Sequence, residues 1–123
     1  MLQSMAAPRI LIVGGGFAGV ACARRLERLL RPGEARITLT APFDYQLYLP
    51  LLPQVASGVL TPQSVAVPLR RSLARTRVVP GGVIGVDPAA RVCVIRKIDD
   101  AVLDEPYDVL VLAPGGRPRP DLR

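Results

Sequence analysis

The chain has no histidine, no tryptophan, a single lysine and only two cysteines in 123 residues. Without histidine, the commonest general base and the commonest zinc ligand are missing. Histidine-based hydrolytic triads and histidine-ligated metals are therefore excluded within this chain, and no metal site is expected. Cys22 and Cys93 make neither a C-x-x-C nor a metal-ligand spacing. Both are expected as buried small hydrophobes, Cys22 on a helix face and Cys93 in a strand. Aromatics are only 4% of the chain, too few to offer stacking platforms to a single strand. The net charge of +6 comes from arginines scattered along the sequence, so no nucleic-acid partner is expected. Arg24, Arg28 and Arg31 fall at helical spacing and read as a solvated helix face. No apolar run reaches the roughly 18 residues of a spanning helix, so no transmembrane segment is expected. Half of the residues are apolar, which favours one packed domain over disorder.

What the chain does have is concentrated near its start. Ile10 to Val13 is an apolar run of strand formers. It feeds a glycine turn, Gly14-x-Gly16-x-x-Gly19, and a helical pattern follows through Ala21, Cys22, Ala23, Leu26, Leu29 and Leu30. Between a buried strand and a helix start, that spacing makes a dinucleotide-binding fingerprint. Gly14 permits the tight turn, Gly16 lets backbone approach a pyrophosphate, and Gly19 lets the helix pack close to the strand. The amide ends around Phe17 and Ala18, with the positive end of the helix dipole, would then face the phosphates. Arg9, the apolar stretch and Ala21-Cys22-Ala23 loosely imitate a signal peptide. Three glycines inside its supposed core and the Arg24-Arg25 pair after it argue against that reading.

Further along, Arg31-Pro32-Gly33 stops the helix. Ile37 to Thr40 is a second strand, which completes a βαβ unit and implies parallel pairing. Phe43 to Leu60 is rich in leucine and proline, with room for one short helix over Leu51 to Val59. Pro68 to Arg75 reads as another short helical segment. A β-rich region follows from Arg77: Val78-Val79, Val83 to Val86 and Val92 to Ile95, broken by Pro80-Gly81-Gly82 and by an Asp87-Pro88-Ala89-Ala90 turn. Lys97 to Glu105 is polar and reads as a hairpin tip or loop. Tyr107 to Ala113 reads as a buried strand. The expected fold is α/β. A parallel sheet holds strands near 9–14, 36–40 and 107–113, with an antiparallel meander attached over about 77–96. Residues 1–8 read as an N-terminal extension, 9–116 as the domain, and 117–123 as a tail.

This order resembles the N-terminal FAD-binding part of the two-dinucleotide-domain flavoproteins, and most of all that of type II NADH dehydrogenases, the NADH:quinone oxidoreductases. Arg9 to Val20 matches the FAD pyrophosphate fingerprint. Tyr45 to Gly58 resembles the family's proline-leucine-leucine segment leading into Gln-Val-Ala-x-Gly, here Gln54-Val55-Ala56-Ser57-Gly58. Tyr107 to Gly115 resembles the second family motif, a strand ending in a small-residue turn. The middle motif is the specific one. The resemblance implies a Rossmann-like, three-layer, incomplete FAD/NAD(P)-binding domain. It places Gly14, Gly16, Phe17, Ala18 and Gly19 around the FAD pyrophosphate and Thr40 and Ala41 by the adenosine ribose. Backbone at Val83 would bracket the adenine, Ala113 and Gly115 would approach the flavin-side phosphate or ribityl, and Leu51, Leu52 and Gln54 would lie near the isoalloxazine.

The family usually carries an acid at the end of the second strand, where this chain has Ala41. Loss of a carboxylate–ribose bond costs about 1.5–3 kcal/mol unless Asp44 reaches round. The resemblance implies FAD as cofactor and NADH as co-substrate of a complete enzyme on the cytoplasmic face of a membrane. The 123 residues hold one glycine fingerprint. A further NADH-binding domain, on this chain or a second one, would be needed for turnover, and peripheral membrane contact would belong to the complete enzyme. The expectation is thus an FAD-binding fragment or subunit of an oxidoreductase. The alternatives left open are a non-catalytic nucleotide-binding module or truncated gene remnant, and, last, a basic interaction domain.

Overall fold

The computed structural model describes residues 6–42, 45–47 and 66–114. In chain order the elements are β1 (Arg9–Val13), α1 (Phe17–Leu29), β2 (Arg36–Ala41), β3 (Tyr45–Leu47), β4 (Ala66–Pro68), α2 (Leu69–Ser72), β5 (Thr76–Asp87), β6 (Val92–Lys97), β7 (Val102–Pro106) and β8 (Val109–Leu112). Six strands form one sheet in the order β7-β6-β5-β2-β1-β8. β8, β1, β2 and the first half of β5 run parallel, whereas β5, β6 and β7 pair antiparallel. This is the expected α/β plan, a parallel sheet carrying a meander. β3 and β4 make a separate antiparallel pair that the sequence pattern did not reveal.

β1 is apolar on both faces because it is covered on both. Ile12 joins Ile37, Leu39, Val78, Leu69 and Leu73 on the side where α1 packs through Val20 and Ala23. Leu11 and Val13 point the other way and meet Cys93 and Tyr107, with Val83 and Leu110 packed against them. The meander therefore curls over the second face of the parallel strands, which gives three layers: helix, parallel strands, meander. α1 buries one stripe and exposes Arg24 and Arg28, and Arg31 beyond its end is exposed too. The helix stops where Leu30 turns extended, and Gly33 takes a positive φ of 85° in the turn that follows.

Several elements differ from the sequence expectation. Pro80-Gly81-Gly82 does not break the chain into two strands, because β5 runs unbroken through it. Pro80 sits at the last parallel pair, opposite Ala41, and Gly81 begins the antiparallel pairing with Lys97. A Cβ at Gly81 would stand 2.7 Å from the Arg96 carbonyl oxygen, so glycine here serves a close strand approach rather than a turn. The polar stretch 97–105 is not all loop: only its first part turns, and β7 begins at Val102. As the sheet's outer strand it keeps one face in water, and that polarity resembles a loop. The helix expected over 68–75 shrinks to the single turn of α2. β8 is shorter than the run 107–113, with Tyr107 buried just before it. Cys22 is half-buried rather than buried. The Asp87 turn forms as read, the Asp87 carboxylate accepting the Ala89 and Ala90 amides at 3.1 and 3.2 Å. The short helix over Leu51 to Val59, the motif residues Leu51, Leu52 and Gln54, Asp44 and Gly115 lie outside the described residues.

Candidate functional site

The parallel strands end together at one edge of the fold. β1 lies between β2 and β8, so the chain leaves its carboxyl end towards neighbours on opposite sides. Such a switch point opens a crevice above the strand ends in open α/β sheets. The Gly14 amide donates to the Thr40 carbonyl at 2.8 Å, and the Ala113 amide donates to the Val13 carbonyl at 2.7 Å. The glycine turn is thus gripped from both flanking strands.

The four glycines of the turn are glycine for different reasons. Gly14 has φ 123°, and a Cβ there would run into the Ala113 carbonyl. A Cβ at Gly19 would run into the Gly14 carbonyl, where the helix crosses the turn. A Cβ at Gly15 would stand 2.7 Å from that of Ala41 and 3.3 Å from Leu69. Gly16 is the exception. Its φ of −80° suits any residue, and a Cβ there would meet nothing within 4 Å. The fold requires glycine at 14, 15 and 19, but at 16 only open space above the turn gives it a role.

Gly16 is also the N-cap of α1, a helix of 13 residues with no side-chain cap and no acid in its first turn. The positive end of the helix dipole therefore faces outward without a built-in anion. Gly16, Phe17 and Ala18 are exposed there. These features suit a pyrophosphate, which the turn's backbone and the first helical turn would hold.

The other expected site residues divide. Thr40 and Ala41 reach the same strand end but are buried, 1% and 4% exposed. The Thr40 hydroxyl donates to the Gly81 carbonyl at 3.4 Å, and Ala41 packs in the helix-side cluster. Ala113 is half-buried beside Gly14. Val83 turns its side chain into the meander-side cluster, which leaves its backbone as the part that could face a ligand. Sequence reasoning passed over Gly15, whose signal was the run of three glycines itself. Among the described residues no group of three or more metal-ligating side chains occurs. Cys22 lies in α1 and Cys93 in the meander-side cluster, and both are free thiols. Burial pushes the Cys93 thiol up, and the Glu105 charge adds to it.

Comparison with known proteins agrees with this geometry. Residues 8–121 match the family model described as pyridine nucleotide-disulphide oxidoreductase. The type II NADH:quinone oxidoreductase Ndh of Mycobacterium tuberculosis is 34% identical over 110 residues, covering 87% of this chain and 23% of that protein. NdhA of the same organism is 36% identical over 112 residues, 89% of this chain and again 23% of its own length. The chain thus spans about a quarter of these relatives. NDH2 of Plasmodium falciparum, solved in complex with NADH, shares the fold with a TM-score of 0.81 at 21% identity, over 92% of this chain and 23% of that one. The sulfide:quinone oxidoreductase of Aquifex aeolicus aligns with a TM-score of 0.73 at 26% identity, over 90% and 25% of the two chains. With the fingerprint, the topology and the match along nearly its whole length in agreement, this chain belongs to the pyridine nucleotide-disulphide oxidoreductase family.

Proposed function

We propose that the chain is the FAD-binding segment of an NADH:quinone oxidoreductase-like flavoenzyme. The observation that carries this is Gly16, a glycine that neither backbone conformation nor packing demands, at the uncapped start of α1. Gly14, Gly16, Phe17, Ala18 and Gly19 hold the pyrophosphate of FAD. Ala113 and, beyond it, Gly115 approach the flavin side, while Thr40, Ala41 and backbone at Val83 border the adenosine side. FAD, when bound, supplies the hydride acceptor, and the chain supplies position and electrostatics. NADH placement needs a second nucleotide domain, on the same or another polypeptide. The enzyme so completed works at the cytoplasmic face of a membrane; no described helix is long and apolar enough to cross one.

A second reading, a nucleotide-binding module without turnover, draws on Ala41. Its side chain is buried beside Leu69, and the carboxylate usual at this strand end is replaced. The first test is the absorption spectrum of the purified chain, followed by titration with FAD. Flavin binding by the native chain and its loss in Gly16→Val support the proposal. Equal affinity in the two would remove the glycine turn as the site.

A further inference from the structure

At the opposite end of the sheet from the glycine turn lies a cleft of about 540 Å³, within the usual size range of small-ligand sites. Its floor is built by strand register. Arg9 of β1 pairs with Arg36 of β2, and Arg75, directly before β5, lies level with Arg36 because Thr76 pairs with Ile37. In the row that follows on the same face, Thr38 pairs with Arg77. Glu105 of β7 forms part of the wall. The lining therefore carries four arginines against one carboxylate.

Neighbouring strands stand about 4.8 Å apart, so arginines level with one another repel unless an anion lies between them. Three of the four are held by the fold. Arg9 pairs with Asp108 at 3.1 Å, Arg77 pairs with Glu105 at 2.9 Å, and Arg75 donates to the Leu30 carbonyl at 3.2 Å. Asp108 and Glu105 offset the charges of Arg9 and Arg77, and the Glu27 carboxylate lies near Arg75, so the uncompensated charge of the cleft rests chiefly on Arg36. Arg36 stands between Arg9 and Arg75, and among the described residues its guanidinium has no acceptor. Planar guanidinium groups offer paired donors to phosphate oxygens.

We propose that this cleft is a second anion site, separate from the glycine turn, which takes the polyphosphate chain of a small molecule. Its walls favour a small ligand over an extended macromolecular surface: the meander closes one side and the turn through Gly33 and Ala35 the other. Arg36 is its central contact.

The test is calorimetric titration of inorganic pyrophosphate into the whole 123-residue chain at low ionic strength. Because the glycine turn would take pyrophosphate too, the titration is repeated in Gly16→Val, where saturable binding is expected to remain and to weaken about tenfold or more when Arg36→Ala is added. Arg36→Gln, which removes the charge but keeps most of the side chain's length, is the second variant and should weaken binding similarly. Thermal melts check that both variants fold. The proposal is overturned if the native chain shows no saturable binding, or if Gly16→Val loses binding while both Arg36 variants retain it. It is also overturned if vesicles of phosphatidylglycerol bind and pyrophosphate does not, since the cleft would then serve a lipid surface.

Discussion

A methyl group has different consequences at each glycine of the turn, and this separates folding from binding residue by residue. Gly19→Ala drives a Cβ into the Gly14 carbonyl, and Gly14→Ala combines a clash at Ala113 with a positive φ. Each should destabilise the chain by at least about 2 kcal/mol, the scale of backbone strain added to overpacking. Gly16→Ala meets no neighbour and should cost about 1 kcal/mol or less of unfolding free energy, the loss of glycine as N-cap. Paired denaturation and flavin-fluorescence titrations of these variants read both effects. A Gly16→Ala chain as unstable as Gly19→Ala would mean that the open space is not as described. The spacing 14-16-19 was legible because glycine is the only residue with no Cβ. That Gly15 also packs without room for a Cβ was not legible, because its neighbours Ala41 and Leu69 are remote in sequence.

Between elements, two carboxylates act as clasps. The Glu27 carboxylate on α1 accepts the Arg75 amide at 2.9 Å and the Thr76 hydroxyl at 2.6 Å, fastening the helix to the start of β5. Burial pushes its carboxyl up, but hydrogen bonds from Thr76 and the Arg75 and Ala74 amides outweigh this and hold it below its usual range. Asp108 is likewise held low, first by the Arg9 guanidinium and then by the Arg9 amide, at the junction of β1 and β8. A carboxyl lowered in the folded state contributes stability above its unfolded value and loses it as pH falls through the folded value. The urea midpoint should therefore hold down to the usual carboxylate range and decline below it. Glu27→Gln should flatten that decline, and Glu27→Ala should cost about 1–2 kcal/mol at neutral pH after solvent screening. A decline of the same slope in Glu27→Gln would remove Glu27 from the account. The meander offers a separate check. Cys93 is fully buried and its thiol is pushed up, so a thiol reagent should modify Cys22 first and reach Cys93 only on unfolding. Comparable rates at both would show that the meander does not cover β1.

For the molecule as a whole, the topology gathers the proposed nucleotide site at the carboxyl ends of β1, β2 and β8. Hydride transfer needs the nicotinamide about 3–3.5 Å from the flavin, a placement that a second nucleotide domain provides. The 123-residue chain in excess FAD should thus oxidise NADH with a soluble quinone no faster than FAD alone. A protein-dependent rate of about 1 s⁻¹, the low end of ordinary turnover, would sink the segment reading.

The sequence by itself determined the βαβ opening, the dinucleotide fingerprint and the strand before Ala113, because each is local: an apolar run, a turn only glycine permits, a helical stripe. Tertiary structure alone decided that β5 passes through Pro80-Gly81-Gly82 unbroken, since the change of partner from β2 to β6 at that point involves residues far apart in the chain. Tertiary structure likewise decided that 102–106 is a strand, because an outer strand reads as polar until its partner is known. The alignment of Arg9, Arg36 and Arg75 belongs to the same class. It is a property of strand register, which brings together arginines that look merely scattered along the sequence.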